Sequence, residues 1–472
     1  MSATKLALGR NINTSATIYG DVNAGVQSQP LARNYDSVVI GGGLAGLHTA
    51  IELAERGQRV VLFEAGKIGA GPSGRSGGQL WPGFEGTLSE MKEEYSDNIA
   101  NSAWQYVHEG LGKVHQRLES HPTKCDFKPG VMLMAMDEED DQWCRDEVDA
   151  FKSSGFKFAE YVDGQTIKDK LFNSTAFTGG ILYQGDDPKA QYGHVNPALY
   201  VETLAHIASK LGVTIVENAP VTKVASEGDK HIVTAGGAQV SGQNVVMATG
   251  AEMIRPDGVN YKVLPREFIK AQTVILATEP MSRELAKQIV PGDACGCDTR
   301  EVGMNYFRLV DEVDGSGRVR LTFGGADALM QLGMTRAYEA GKVERDMYKV
   351  FPQLKEHGIK VDTVWGGNCD LSPSALPKIS EVSPRFFALS GFSGQGNVLT
   401  QVLGQAVAEK IVDGASDRFD TIAALTADYK PFPRSETMAL AQVAYDVYAK
   451  EKVEAVSGAV RRSLGMRGPN AA

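Results

Sequence analysis

The chain has 472 residues, 42% of them hydrophobic and 22% charged, which is the balance of a globular protein with two or three folding units. Its 52 glycines follow no three-residue period, so a collagen-like rod is excluded, and the composition equally excludes a disordered chain. A formal net charge of −10 excludes the electrostatic footprint of a nucleic-acid binder and gives little attraction to anionic membrane surfaces.

No apolar run reaches the roughly 18 residues of a membrane helix. Residues 1–20 lack the apolar core of a secretory signal. The five cysteines stand at 125, 144, 295, 297 and 369. Cys295 and Cys297 are too close for paired zinc-ligand spacing, and no histidine-rich stretch follows them. Reduced thiols in a cytoplasmic protein, with no metal site, are expected.

In chain order, residues 1–33 are polar and aperiodic and read as an arm lying on the body. Asp36–Ile40 is a β-branched apolar run; Gly41–Gly46 is a glycine turn; Leu47–Arg56 carries apolar residues at helical spacing and ends at Gly57. Arg59–Glu64 is a second strand ending in an acid. Helices are predicted over 98–119 and 139–154, and strands over 126–136 and 181–184. Asn196-Pro197 opens a further helix, followed by the strand 213–216. Segments 220–224, 230–234 and 244–248 read as a small antiparallel set leading into Thr249-Gly250. A β-rich region (271–278, 304–310, 317–323) is interrupted by a helical run at 281–290 and followed by another at 335–350. Phe386–Ser390 is a strand, Gly391–Gly396 a glycine turn, Val398–Ile411 a helix, and 435–464 a last helical stretch.

The Gly41–Gly46 segment has the GxGxxG spacing of a dinucleotide turn, in its proper place between strand and helix. Gly41 permits the tight turn, Gly43 lets backbone approach a pyrophosphate, and Gly46 lets helix and strand pack closely. The helix N-terminus then presents free N–H groups and a positive dipole end. Glu64, 18 residues beyond Gly46, can accept hydrogen bonds from a ribose. The dinucleotide could be NAD(P) or FAD. A second glycine-rich loop, Gly66–Gln79, with Ser73 and Arg75, suits a further phosphate. The glycine turn at 391–396 offers another helix N-terminus for a reduced flavin's negative charge.

Together with GPSGRSGGQ (71–79), HVNPALY (194–200), YFRL (306–309), FGGAD (323–327), WGGN (365–368), LPKIS (376–380), GFSGQG (391–396) and PFP (431–433), this pattern resembles the D-amino-acid-oxidase-like (DAO) family of FAD-dependent oxidoreductases. Within that family it is most similar to the γ-glutamylputrescine oxidases. The resemblance implies an α/β fold: a Rossmann-like FAD-binding domain (34–110, 194–262 and 365–430) interleaved with a mainly antiparallel β-sheet substrate domain (111–193 and 263–364). A C-terminal helical tail (431–472) would follow. It implies FAD held non-covalently by Gly41, Gly43, Leu44, Ala45, Gly46, Glu64 and Ala65. Ser73, Gly77, Gly78 and Gln79 would run under the flavin, Arg75 would also bind the cofactor, and Val221 would meet the adenine. Gly391, Ser393, Gly394, Gln395, Gly396, Asn397 and Val398 would wrap the flavin's far end. Relatives often have Asn at Ser76 and His at Gln395, so no titrating imidazole is available at 395. A flavin-linking cysteine has no clear counterpart; Cys369 is near in sequence but in another register. The lysine that assists oxygen in sarcosine oxidases falls on Arg320 or Thr322.

With one dinucleotide fingerprint only, the substrate itself is expected to supply the hydride. The implied activity is oxidation of an amine C–N bond, with the imine hydrolysed to an aldehyde plus amine or ammonia. O2 or another acceptor takes the electrons, and an oxidase is favoured over a dehydrogenase. A γ-glutamylated polyamine is the expected substrate, which points to polyamine breakdown. Alternatives are an N-methyl amino-acid or amino-acid oxidase or dehydrogenase, and a non-catalytic flavoprotein scaffold or assembly factor. Arg308 is the candidate clamp for a substrate carboxylate. Trp81 and Trp365, with Phe84 and Trp104, are candidate walls, Glu85 a candidate partner for a distal ammonium, and His194 a candidate structural residue. No catalytic base is identifiable.

Overall fold

A computed structural model describes residues 17–22, 24–25, 30–84, 86–185, 187–251, 268–300, 304–328 and 335–427. Glu85 and the predicted helix 435–464 lie outside the described residues, as do most of the N-terminal arm and the whole of the C-terminal tail.

The apolar run Asn34–Ile40 becomes the centre of an eight-stranded sheet. Val60–Phe63 pairs parallel to it on one side and Ala238–Met247 on the other. Thr214–Val216 and Phe386–Ser390 extend the parallel set outward. Alternate side chains go to opposite faces, and both faces are buried: Val39, Leu62 and Val246 pack under the helices. Val38, Val61 and Val245 instead join a second core with Val224, Val233 and Val240. The segment 244–248 therefore corrects the expectation of a small antiparallel set. The strand Ala238–Met247 pairs antiparallel with Lys230–Ala235 only through residue 242, and residues 244–247 run parallel to Ser37–Ile40. Ser241 and Gly242 pair with both strands at once, one on each edge.

Helices α1 (Leu44–Glu55), α2 (Asp97–Leu118), α3 (Pro197–Lys210) and α4 (Gly396–Asp413) form the layer over the first face. Asn196 caps α3 by accepting from the amides of Ala198 and Leu199, with Pro197 at the first helical position. In α4 every residue from Asn397 to Ala408 is buried, and Gly414 in a left-handed conformation (φ 79°) ends it.

The second sheet has nine strands and is mainly antiparallel, with Cys295–Asp298 parallel to Val131–Ala135 as the exception. Its centre pairs Ile269–Thr278, Val319–Ala328 and Tyr306–Asp311. Helix Thr335–Val350 covers one face, closing a core that includes Leu276, Phe307, Leu321, Phe323 and Met347. The strands Ala159–Asp163, Val361–Trp365, Asn368–Leu371 and Lys378–Ser383 are not apparent from sequence periodicity. Asn368–Leu371 pairs with Ile269–Thr278, so this sheet reaches beyond residue 365. A small third sheet joins Gln79–Leu80, Gly193–His194 and Lys128–Pro129. All five cysteines are free thiols, and no helix among the described residues is long and apolar enough to cross a membrane.

One buried charge ties the helical layer together. Glu52 of α1 is fully buried; its Oε1 accepts from Arg117 (2.6 Å) and Lys113 (2.9 Å) of α2 and from Gln401 (2.7 Å) of α4. Arg56 donates to Oε2 at 2.6 Å. Burial pushes the Glu52 carboxyl up, but the Arg117 and Lys113 charges more than offset this and hold it at about 2. The folded value lies below the ordinary 4.5, so its stabilisation is complete above that pH and is lost as pH falls toward about 2. Glu52→Gln leaves Arg117 buried without its counter-charge, at a cost of about 3–5 kcal/mol. Thermal unfolding followed from pH 7 to 2 should show a large loss for the variant at pH 7. Its pH dependence between 4.5 and 2 should be weaker than that of the unaltered protein.

Candidate functional site

The glycine turn lies where the central strand ends and α1 begins. Gly41 has φ +111°, and a Cβ there would lie 2.4 Å from the Ala248 carbonyl oxygen. A Cβ on Gly46 would lie 1.9 Å from the Gly41 oxygen, so only hydrogen allows α1 to start this close to the turn. Glu64 closes the turn from the neighbouring strand: Oε2 accepts the Gly42 N–H at 2.6 Å and Oε1 the Gly66 N–H at 2.8 Å. Each carboxylate oxygen keeps a lone pair for a ribose hydroxyl. The second glycine loop docks on α1, where Ser73 Oγ accepts the Leu44 N–H at 3.0 Å.

These parts enclose a cavity of about 580 Å³. Gly41, Gly43, Leu44, Ala45, Glu64 and Ala65 line one end, and Ser73 and Val221 also border it. At the other end stand Gly394, Gly396 and Asn397, so the N-termini of α1 and α4 both open onto the same space. The turn before α4 holds three residues in the left-handed region: Gly391 (φ 72°), Ser393 (φ 51°) and Gly394 (φ 89°). Ser393 is kept there by its hydroxyl, which accepts the Ser372 N–H at 3.1 Å and donates to the Gly391 carbonyl at 3.2 Å. Asp370 accepts the Gly391 N–H at 2.7 Å, and burial raises its carboxyl to about 6.

A second cavity, of about 230 Å³, continues from the first across Pro72, Ser76, Cys369, Gly394 and Asn397, which border both. Arg75, Gly77, Gln79, Trp81, Ser393 and Gln395 line it. Thr273, Ile275 and Tyr306 from the second sheet, with Met304 just before the last of these strands, face them. Asn397 ties the two halves together by donating to the Gln79 carbonyl at 2.7 Å. Its own carbonyl accepts from Tyr200 at 3.3 Å, and Tyr200 in turn meets His48 Nε2 at 2.8 Å. The Arg117 guanidinium donates to the other His48 nitrogen. Burial, reinforced by the Arg117 charge, holds that imidazole neutral, well below its ordinary range.

Several residues named from sequence lie elsewhere. Gly46, Gly78, Gly391 and Val398 line neither cavity; they shape the turns. Arg75 lines the smaller cavity and not the larger, and its Nε donates to the Gly366 carbonyl at 3.2 Å. Arg308 lines neither: it is buried, donating from Nε to the Gly77 carbonyl at 2.5 Å. Trp365 is likewise buried, with its indole N–H on the Arg75 carbonyl (2.9 Å) and its ring edge-on to Tyr19 of the N-terminal segment. Phe84 and Trp104 are core aromatics in edge-on contact with each other. His194 donates from Nε2 to the Asp293 carbonyl at 2.8 Å. Arg320 pairs with Glu312 and Asp362, Thr322 bonds to the Arg308 carbonyl, and neither lines a cavity. Cys369 borders both cavities. Sequence reasoning missed Thr249, Asp370 and Tyr306. Tyr306 lies two residues from Arg308 on one strand and so shares its face, and that two-residue period was the available signal.

The larger space fits a dinucleotide bearing a flavin. Thr249 Oγ1, on its wall, and Gln79 Nε2, beside the smaller cavity, are buried polar atoms with no hydrogen-bond partner among the described residues. The sequence model of the DAO family (FAD dependent oxidoreductase) matches residues 36–410. A probable oxidoreductase OrdL of Haemophilus influenzae is 32% identical over 399 residues, 83% of this chain and 86% of its own length. A gamma-glutamylputrescine oxidoreductase of Escherichia coli is 28% identical over 410 residues, 85% and 89% of the two chains. Among solved structures, the L-proline dehydrogenase of P. horikoshii superposes with a TM-score of 0.66 at 19% identity, covering 85% of this chain and 100% of its own. The glycine oxidase of Geobacillus kaustophilus gives 0.64 at 18%, covering 82% and 97%.

A Cβ on Gly43 would sit 2.8 Å from Ser73 Oγ, at the point where the second glycine loop meets the first. Gly43→Val therefore displaces the Ser73–Leu44 contact and fills the turn. The purified variant should lose FAD and the thermal stability that bound cofactor confers; flavin absorbance per protein measures it. Full occupancy would mean that the turn is not the cofactor site. Acid precipitation of the unaltered protein should release the flavin, as expected for non-covalent binding.

Proposed function

The chain belongs to the DAO family of FAD-dependent oxidoreductases, and from that premise we propose that it oxidises the C–N bond of an amine carrying a carboxylate, a γ-glutamylated polyamine in particular. Bound FAD supplies the hydride acceptor. The protein's part is to hold the amine carbon against that acceptor, which orientation alone can favour by about 7 kcal/mol or more.

The observation that supports this substrate class is the wall of the smaller cavity. Among its described residues Arg75 is the one charged side chain, and no Asp, Glu, His or Lys is present. A carboxylate finds a guanidinium there. The second ammonium of a free diamine finds no acid and faces a like charge. γ-Glutamylation converts the diamine's far end into an amide bearing a distal α-carboxylate, which is the change this wall rewards. Trp81, Ile275, Met304 and Leu371 supply apolar surface for the methylene chain between the two ends. Among the described wall residues no Asp, Glu, His or Lys stands ready to take the amine's proton; besides Arg75, the titratable side chains there are Cys297, Tyr306 and Cys369. The E. coli relative carries gamma-glutamylputrescine in its name, and its similarity spans 85% of this chain.

Anaerobic mixing with a panel of amines, followed by bleaching of the flavin absorbance and then re-oxidation by air, tests the reading. γ-Glutamylputrescine should reduce the flavin faster than putrescine, sarcosine or glycine. Fastest reduction by putrescine would overturn it, and fastest reduction by sarcosine would move the activity to N-methyl amino acids. Arg75→Met removes the charge while keeping much of the bulk. A charge-assisted bond is worth about 1.5–3 kcal/mol, so kcat/KM for the acidic amine should fall roughly 10- to 100-fold. The loss with putrescine should be much smaller.

A further inference from the structure

Arg308 is a buried cation with no counter-ion among the described residues. It stands on the Tyr306–Asp311 strand and is 3% exposed. Among the described residues no carboxylate pairs with it. Asp311, the acid of its own strand, is taken by Lys128 and Arg283. The neighbours of the guanidinium are neutral. His194 donates from Nε2 to the Asp293 carbonyl, which leaves Nδ1 as a lone-pair acceptor 3.2 Å from Arg308 Nη1. Burial and the Arg308 charge keep that imidazole unprotonated, well below its ordinary range. The Tyr19 ring lies with its centroid 5.4 Å from the guanidinium carbon. Nη2 is buried with no hydrogen-bond partner among the described residues, and a Cβ on Gly78 would come within 3.0 Å of it. Burying such a charge is costly unless something answers it.

The Gly77–Gly78 peptide is what the guanidinium does answer. Its carbonyl accepts from Arg308 Nε at 2.5 Å, and its N–H, on the Gly78 side, donates to Ser76 Oγ at 3.3 Å. Ser76 Oγ in turn lies 3.5 Å from Asn397 Oδ1. Ser76 and Asn397 border both cavities. A cation at one end of such a chain polarises each bond in the same sense, so positive character is delivered to the boundary between the cofactor and substrate spaces. The α4 N-terminus at Gly396 opens onto the same boundary and adds its dipole.

We propose that Arg308 is a positioning residue that fixes the Gly77–Gly78 peptide and delivers its uncompensated charge through Ser76 and Asn397, stabilising the anionic, reduced state of the bound flavin. The charge is uncompensated because the counter-charge arrives only with reduction. This rests on FAD occupying the larger cavity and does not depend on which amine is oxidised.

The test uses the FAD-loaded full-length chain and no amine. The midpoint potential of the bound flavin is measured by equilibration with reference dyes, and its affinity for sulfite, whose adduct is also anionic, by titration. In Arg308→Met the reduction equilibrium should fall at least tenfold, a drop of about 30 mV for a two-electron couple. Sulfite affinity should fall by a similar factor. Arg308→Lys, which keeps the charge, should recover most of both. A merely structural arginine would change FAD occupancy or thermal stability and leave the potential of the flavin that remains bound unmoved; that result overturns the proposal. Where Arg308→Met does not retain FAD, Ser76→Ala decides. It keeps the guanidinium in place but cuts the relay, so potential and sulfite affinity should fall in the same direction, and unchanged values would overturn the proposal. Slow bleaching by γ-glutamylputrescine in an unaltered protein of normal potential would instead count against the substrate reading.

Discussion

The close approach at the Gly41–Gly46 turn governs the rest of the molecule. A single methyl group on Gly46 would overlap the Gly41 carbonyl, so α1 can lie against the central strand only because hydrogen occupies that position. Once α1 is placed, its N-terminus opens onto the C-terminal edge of the parallel sheet, where Glu64 and Ser73 bond to the turn and to the helix amide of Leu44. α4 reaches the same edge from the far end of the chain because its own strand, Phe386–Ser390, pairs in parallel beside Ala238–Met247. Two helix dipoles therefore converge on one space. Segments more than 300 residues apart meet there, as the Asn397 bond to Gln79 shows.

Three buried charges are handled in three ways. Glu52 is saturated with donors from three helices, and its carboxyl is held far below the usual range. It serves to lock α1, α2 and α4 together. Asp370 has the Gly391 amide but no cation among the described residues, and burial raises it to about 6. Arg308 has a carbonyl and a neutral imidazole, with no anion among the described residues. The first arrangement belongs to structural scaffolding, where charge is cancelled. The last two flank the cavities, where an incoming group can complete the balance.

The smaller cavity shows how two sheets share one task. The glycine loop contributes the polar, backbone-rich side with Arg75, and the antiparallel sheet contributes the apolar wall of Ile275 and Tyr306, joined by Met304 just before the strand. Arg308 links them, since it is rooted in the sheet and bonded to the loop. The buried Trp365 does the same through the Arg75 carbonyl. Residues that look like substrate contacts in the sequence thus hold the wall from behind.

The sequence by itself determined the nucleotide half of this protein. A glycine turn between a β-branched strand and an amphipathic helix, an acid ending the next strand, and a second glycine loop are local patterns, and local patterns carry local geometry. The chain therefore disclosed the strand as 36–40 and the helix as 47–56, each beginning two or three residues late against Asn34–Ile40 and Leu44–Glu55, together with Glu64 and the strand Phe386–Ser390 and turn before α4. Tertiary structure decided what no local pattern encodes. Arg75 lines a cavity, whereas Arg308 is buried and supports the loop through the Gly77 carbonyl. The strand Ala238–Met247 changes partners and direction of pairing along its length. Short strands such as Asn368–Leu371 exist because a neighbour completes their hydrogen bonds, and their own four residues show no period from which to read them. A side chain's chemistry is written in the sequence, but which side of a backbone it occupies depends on what packs against it, and that is a property of the assembled fold.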